Sequence, residues 1–458
     1  MSSGLLTIGL PVMAVDLGLD DGLLLWPASV YSLASGCCLL LAGSLADLLG
    51  NRQINLIGCF GLSISILACG LARTGIEFIV FRALQGVVFS LCLPTAFSIL
   101  KECLPPGKQT NIAVGCFGLG QPLGFSVGLV LGGLFEATAP GWRVGYYLTA
   151  GLAFILSLVN LVNLPSTLQR APWSWQRFRA EIDWVGLLLS SGCLGLFSYV
   201  CSAITSDTAA IKKPQIIALL ALAGALAPMF LFWMNRQEKH GRPALIPNSI
   251  WQNKAFTSIC LVVLLSWAVL NGMETFLSLF FQEVQDLPPI QAAIRFFPNI
   301  IIGIILNFGT GVFVDRLRAD HLVIVTSLLS AGSPLLMALI QAHWSWWSCA
   351  FWAVLISPLS ADVIFTVANL LISDLFTPTT QGLASAVFNT VAQFGTSIGL
   401  TVFAILSASV TKQSKYENKA SPEALMQGYR AVFWMSFGMM ICGCGVSAWG
   451  LRKIGKVG

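Results

Sequence analysis

The sequence predicts an all-α polytopic membrane protein, and three observations carry that prediction. Only 10% of its 458 residues are charged while 56% are hydrophobic, against roughly 25% charged in an ordinary soluble domain. Apolar stretches long enough to cross a bilayer recur from one end of the chain to the other. Two short motifs of the first half return about 270 residues later. With 29 Phe and 14 Trp, the composition excludes a disordered, fibrous or nucleic-acid-binding chain, each of which needs polar or basic surface. The 13 cysteines form no CxxC pair and fall mostly inside apolar runs, where they read as small core residues. His240, His321 and His343 are far apart near segment ends, so neither a zinc site nor an imidazole triad has material to work with. No metal, no cofactor and no enzymatic activity are expected. The opening stretch has no basic region ahead of its apolar run and does not read as a cleaved signal peptide.

Dividing the chain wherever charge, Pro-Gly clusters or polar runs interrupt the apolar stretches gives fourteen segments. They run approximately 1 to 16, 24 to 46, 54 to 72, 78 to 100, 111 to 135, 144 to 163, 184 to 204, 215 to 234, 255 to 281, 291 to 314, 321 to 341, 347 to 372, 383 to 410 and 430 to 451. With both ends in the cytoplasm, the inner loops hold the excess of Lys and Arg, as the positive-inside rule requires. Arg170, Arg177 and Arg179 precede segment seven, and Arg236, Lys239, Arg242 and Lys254 precede segment nine. The outer loop at 17 to 23 carries only Asp20 and Asp21, whereas the outer loop with Lys412, Lys415 and Lys419 runs against the bias, accompanied by Glu417 and Glu423.

Gly43-Ser-Leu-Ala-Asp47 at the end of segment two is echoed by Gly311-Val-Phe-Val-Asp315 at the end of segment ten. Gly124-Phe-Ser126-Val-Gly128 in segment five is echoed by Gly395-Thr-Ser397-Ile-Gly399 in segment thirteen. The similar offsets divide the chain into a six-helix bundle at 1–163, a two-helix insert with cytoplasmic linkers at 164–254, and a second six-helix bundle at 255–458. Parallel six-span repeats with the substrate site between the halves are one way secondary transporters are built.

The chain resembles the major facilitator superfamily, in particular the fourteen-span drug:proton antiporters, and among these the fungal efflux pumps. Gly43, Asp47, Gly50 and Arg52 carry the likeness after segment two, as do Arg82, Gln85 and Gly86 in segment four, the glycines of segment five, and Trp142-Arg143 before segment six. In the second half it rests on Gln291 to Pro298, Asp362 to Asn369, and Gln381 to Gln393. The resemblance implies a major facilitator fold of two six-helix bundles plus a two-helix insert. It further implies a membrane-embedded monomer that exports a small organic compound, such as a secondary metabolite, toxin or drug, in exchange for protons. By family habit the plasma membrane is expected, with the vacuolar membrane as the alternative.

By the same resemblance, Gly43, Asp47 and Arg52 form a cytoplasmic latch that releases during alternating access, with Asp315 and Arg316 as its second-half copy. Two basic positions of that pattern are Leu48 and Asn51 here, and a polar turn that merely caps two helices is the plainer reading. Arg82 lies within an apolar segment, where an unpaired guanidinium costs roughly 2.5 to 3.5 kcal/mol on insertion scales. The family associates this arginine with proton transfer, and Gln85 follows on the same helical face. Snorkelling of Arg82 to the outer interface is the other placement left open. Gly120, Gly124, Gly128 and Gly132 recur every fourth residue, which draws a flat stripe along one face and suits close helix packing. The family reads that stripe as its antiporter motif, although the bend-forming proline is displaced to Pro122.

Among acidic residues inside segments, Glu274 and Asp362 stand out, since either facing lipid would be costly. A carboxyl that alternates between buried and hydrated settings loads and releases a proton, so Glu274, Asp362 and Arg82 are the proton-coupling candidates. Gln85, Asn271, Asn307, Asn369, Asn389 and Gln393 are candidates to line the substrate cavity, among Trp267, Phe276, Phe280, Phe281 and Phe388. Aromatic walls with scattered amides suit a bulky, partly apolar molecule. Gly450-Leu-Arg-Lys-Ile-Gly455-Lys456 fits GxxxxGK, but no Ser or Thr follows and no strand precedes it. It reads as a basic anchor, which leaves an ion gradient as the energy source. The first segment is short, and Ser2 stands where the family usually has an acid, so an upstream coding extension is expected. The rival functions are transport of a small inorganic species such as ammonium or borate, and a non-transporting sensor built on a carrier scaffold.

Overall fold

The computed structural model describes residues 1–104, 108–136, 141–165, 182–206, 212–242, 244–246, 248–313, 318–376 and 378–452. Among them the regular structure is helical. The first set comprises α1 (Ser2–Leu17), α2 (Trp26–Leu49), α3 (Asn51–Leu71), α4 (Gly75–Cys103), α5 (Lys108–Glu136) and α6 (Arg143–Asn163). Next come α7 (Trp184–Ser206) and α8 (Pro214–Lys239). The rest are α9 (Lys254–Leu279), α10 (Pro289–Arg295), α11 (Phe297–Phe313), α12 (Ala319–Leu339), α13 (Ala350–Ile356), α14 (Leu359–Leu375), α15 (Pro378–Gln413) and α16 (Pro422–Gly450).

Local chemistry sets several boundaries. Thr74, Asn253 and Ser421 cap α4, α9 and α16, their side-chain oxygens accepting from Glu77, from Ala255 and Phe256, and from Ala424. Gly18 ends α1 in the left-handed region at φ 62°, and Gly50 joins α2 to α3 in one residue at φ 95°, a conformation that favours glycine.

Among the described residues, twelve helical stretches are long and apolar enough to cross a membrane, where the sequence led to fourteen. The apolar helices Ser2–Leu17 and Trp184–Phe197 are shorter. Segment ten is broken at Phe296 into α10 and α11, because Pro298 in the first turn of α11 has no N–H to continue a preceding helix. Segment twelve is likewise split around Ser357 and Pro358 into α13 and α14. Helix α9 continues through a π-helical turn, Phe280–Val284, so its end lies beyond residue 281. Helix α16 starts eight positions earlier than expected, at Pro422.

In the first half α1 packs on α5 and α3 on α6, and in the second half α9 packs on α15 and α12 on α16. Gly128 meets the backbone of Met1, and a Cβ there would collide with its carbonyl. Gly395 and Gly399 do the same for α15, against Leu264 and Ala268 of α9. Among the described residues the halves touch chiefly along two seams, α2 against α15 and α5 against α10 and α11, and also where Ser278 and Gln282 of α9 donate to Thr7 O and Ile8 O of α1. At the first seam Gly36 leaves room for the Phe394 ring, and at the second Gly133 abuts Ile290. Helices α7 and α8 pack on each other, and α7 also contacts both α2 and α15. Many outward side chains are apolar, among them Ile64, Leu148, Ile155, Leu188 and Phe232, the surface a lipid environment accepts.

Candidate functional site

Glu274 on α9 and Asp362 on α14 are close enough to interact electrostatically. Asn307 on α11 is the polar neighbour of Asp362. Asp362 lies beside Gly303, where an added Cβ would stand 3.2 Å from its Oδ2 and 3.6 Å from Pro122 of α5. The acid therefore sits where α14 and α11 meet a helix of the other half. Both carboxyls are half-buried, and Asp362 Oδ2 is a buried oxygen with no hydrogen-bond partner. Asn271 is three residues before Glu274 and therefore on the same side of α9; its Nδ2 donates to Trp267 O at 2.9 Å and to Thr396 Oγ1 at 3.1 Å.

The asparagines share one habit. Asn271, Asn307, Asn369 and Asn389 each turn the side-chain NH2 back onto the carbonyl four residues earlier, at 2.8 to 2.9 Å. The amide oxygen is then the end left for other contacts. Gln393 is half-buried at the α2–α15 seam, its Cβ close to Gly36. Gln85 is taken up by the contact between α4 and α1. It is 2% exposed, its Nε2 donates to Ser2 Oγ at 2.8 Å, and its Oε1 accepts from Arg82 at 2.8 Å.

Arg82 is 1% exposed and does not snorkel. Its Nε donates to Pro27 O at 3.0 Å, one terminal nitrogen donates to Ser2 Oγ at 2.8 Å, and the guanidinium stacks 4.5 Å from the Tyr31 ring centroid. These contacts satisfy its fork with backbone, hydroxyl and amide oxygens. Arg82, Gln85 and Ser2 thus join α4 to α1.

Of the latch residues, Arg52 donates to Leu164 O and Leu161 O, both at 3.0 Å, which places its charge on the C-terminal carbonyls of α6. Gly43 has open space at its Cα. The Asp47 side chain, Asp315 and Arg316 lie outside the described residues. In the glycine stripe, Gly124, Gly128 and Gly132 face α1, whereas a Cβ at Gly120 would meet nothing within 4 Å. Of the expected aromatic wall, Trp267, Phe280, Phe281 and Phe388 are 0 to 8% exposed and pack into two apolar cores, whereas Phe276, 2% exposed, also borders a cavity.

Sequence reasoning missed three polar sites. Asp183 accepts from Gly186 N at 2.8 Å, Trp233 Nε1 at 2.8 Å and Leu245 N at 3.3 Å, which ties α7, α8 and the following linker together. Glu283, in the π-helical turn, accepts the Tyr429 hydroxyl. Asp16 pairs with Arg143 and accepts from Trp142 Nε1 at 3.0 Å, joining the end of α1 to the start of α6. The signal for Asp183 was present, an acid directly before a helix start.

The family model described as Major Facilitator Superfamily matches residues 1–400. MFS-type transporter 1 of Pyricularia oryzae is 38% identical, in an alignment covering 100% of this chain and 82% of that protein. Efflux pump terJ of Aspergillus terreus is 25% identical, covering 95% and 82% respectively. Among solved structures, a mutant form of the nucleoside transporter NupG has a TM-score of 0.64 at 14% identity, covering 97% of this chain and 94% of its own. Matching helix packing in the two halves, buried charges at helix junctions and a family match over most of the length converge: the chain belongs to the Major Facilitator Superfamily of membrane transporters.

Proposed function

We propose that the protein is a proton-coupled exporter of a small organic compound, a secondary metabolite, toxin or drug, acting as a monomer in the plasma membrane. In this reading the chain crosses the bilayer fourteen times, α1 and α7 included. The first bundle spans 1–163, the insert 164–254 and the second bundle 255–458. The matching of α1 on α5 with α9 on α15 supports that division. The kinship with efflux pumps at the family level supports the direction of transport.

The observation that carries the reading is the pair Glu274 and Asp362, half-buried where the two halves meet, with one Asp362 oxygen unpartnered. A carboxyl at such a junction exchanges its proton when the junction opens to water, and its protonation state in turn biases which state is favoured. Asn307 steadies Asp362, and Asn271 presents a second polar group one turn from Glu274.

The cargo being unidentified, untargeted mass spectrometry of cells and medium reads the function. Loss of the gene is expected to retain at least one organic compound inside the cell, and the wild-type chain to restore its export. Export slows as external pH rises from 5 to 8, because protons move inward as cargo leaves. Glu274→Gln and Asp362→Asn are expected to reach the membrane yet fail to restore export. Unchanged export in both variants, or indifference to the proton gradient, would overturn the proposal.

A further inference from the structure

A cavity of about 730 Å³ opens at the end of the bundle where α2 begins and α9 and α15 finish. Ligand pockets typically run from about 300 to 1,000 Å³. Neither Glu274 nor Asp362 lines it, although Phe276 on its wall is only two residues beyond Glu274.

Its deep end is a hydroxyl cluster across the α2–α15 seam. Ser29 Oγ lies 3.0 Å from Thr401 Oγ1 and 3.2 Å from Ser397 Oγ, and donates to Ser397 O at 3.1 Å. The walls above are apolar, with Leu25, Trp26, Phe276, Leu279 and Ala404. Ser407 and Thr411 continue the hydroxyls along α15, and Thr411 Oγ1 is a buried oxygen without a partner. From Thr401 to Thr411 the wall is ~15 Å long by the helical rise.

Two lysines and one acid supply the charge of the lining. Lys412 and Lys419 stand exposed at the mouth, and Lys419 Nζ is held over its loop by Ser414 O at 2.7 Å. The acid on the wall, Glu283, is bonded to the Tyr429 hydroxyl on the opposite side. The mouth is thus net cationic, the shaft apolar and the floor a set of hydroxyls.

We propose that this vestibule is a second binding site, distinct from the Glu274–Asp362 junction, for an amphipathic organic acid. The apolar body lies along Trp26 and Phe276, and the carboxylate or phenolate rests between Lys412 and Lys419. An oxygen-bearing far end meets Ser29 and Thr401. This goes beyond the exporter reading and stands without it, because it is built from a different set of residues.

The test is equilibrium dialysis of 2-naphthoate, with 2-naphthamide as its uncharged counterpart, against the full-length protein in neutral-lipid nanodiscs. Saturable 2-naphthoate binding above that of empty nanodiscs is expected. Lys412→Glu with Lys419→Glu, both exposed and compatible with folding, is expected to weaken it at least tenfold while leaving 2-naphthamide unchanged. Ala408→Trp, which fills the cavity, is expected to abolish binding of both. Glu274→Gln is expected to leave 2-naphthoate affinity unaltered; its loss there would assign the ligand to the carboxyl junction and overturn the proposal. Non-saturable binding, or indifference to both charge reversal and cavity filling, would overturn it as well. Failure of export with intact 2-naphthoate binding counts against proton-coupled export alone.

Discussion

Asp183 and Arg82 illustrate opposite ways of burying charge. Asp183 receives three N–H donors from three elements, so Asp183→Ala strands them. Each stranded buried donor costs about 1–3 kcal/mol, and thermal unfolding of the purified protein is expected to show a markedly lower Tm, with Asp183→Asn in between. Arg82 instead spreads one cation over Pro27, Ser2 and Gln85. Arg82→Lys keeps the charge but loses the planar fork, and should lower stability by about 1–3 kcal/mol in the same assay. Glu274, Asp362 and Arg82 were legible in the sequence because a charge inside an apolar run is expensive and therefore conspicuous. Asp183 could be read as a helix cap from its place before α7, but not as the tie to Trp233 and Leu245, because acids are ordinary at a segment edge. The Ser29, Ser397 and Thr401 hydroxyls were invisible as a group, since serine and threonine are common in apolar helices and only the fold brings residues 29 and 401 together. Gln85 was read as a cavity residue from its helical face, and its commitment to Ser2 depends on how α1 crosses α4.

Helices were legible as apolar runs, while their ends and breaks were not. Phe296 lies inside a segment that reads as one helix despite Arg295, yet the missing N–H of Pro298 two positions on separates α10 from α11. The π-helical turn that carries Glu283 beyond residue 281 leaves no mark in hydropathy. The four-residue spacing of the α5 glycines foretold close packing, but their partner, α1, could not be named from spacing alone. Gly128→Leu is expected to force α1 off α5, abolishing a monodisperse peak in detergent size-exclusion chromatography. Gly120→Ala, at a position with nothing within 4 Å, should leave elution unaltered and stability within about 0.5 kcal/mol. If Gly120→Ala were as harmful as Gly128→Leu, the stripe would act as one surface rather than as three contacts.

For the whole molecule, the two larger seams between the halves differ among the described residues, and the α2–α15 seam carries the hydroxyl cluster. Ser29→Cys with Thr401→Cys, replacing oxygens 3.0 Å apart, is expected to form a disulfide under mild oxidation. Transport should then stop until a reductant is added; undiminished flux in the cross-linked protein would mean that this seam never parts. The repeat at residues 43, 124, 311 and 395 is what suggested a division into halves, but nothing in the sequence indicated where α7 and α8 would dock. Helix α7 lies against α2 and α15 together. The other seam presents Leu123, Val127, Ile301 and Ile305 outward. Among the described residues, one flank of the carrier is therefore sealed from the surrounding fatty acyl chains by its own polypeptide, and no described helix covers the opposite flank. A greasy passenger already dissolved in the leaflet would meet α5 and α11 directly on that side.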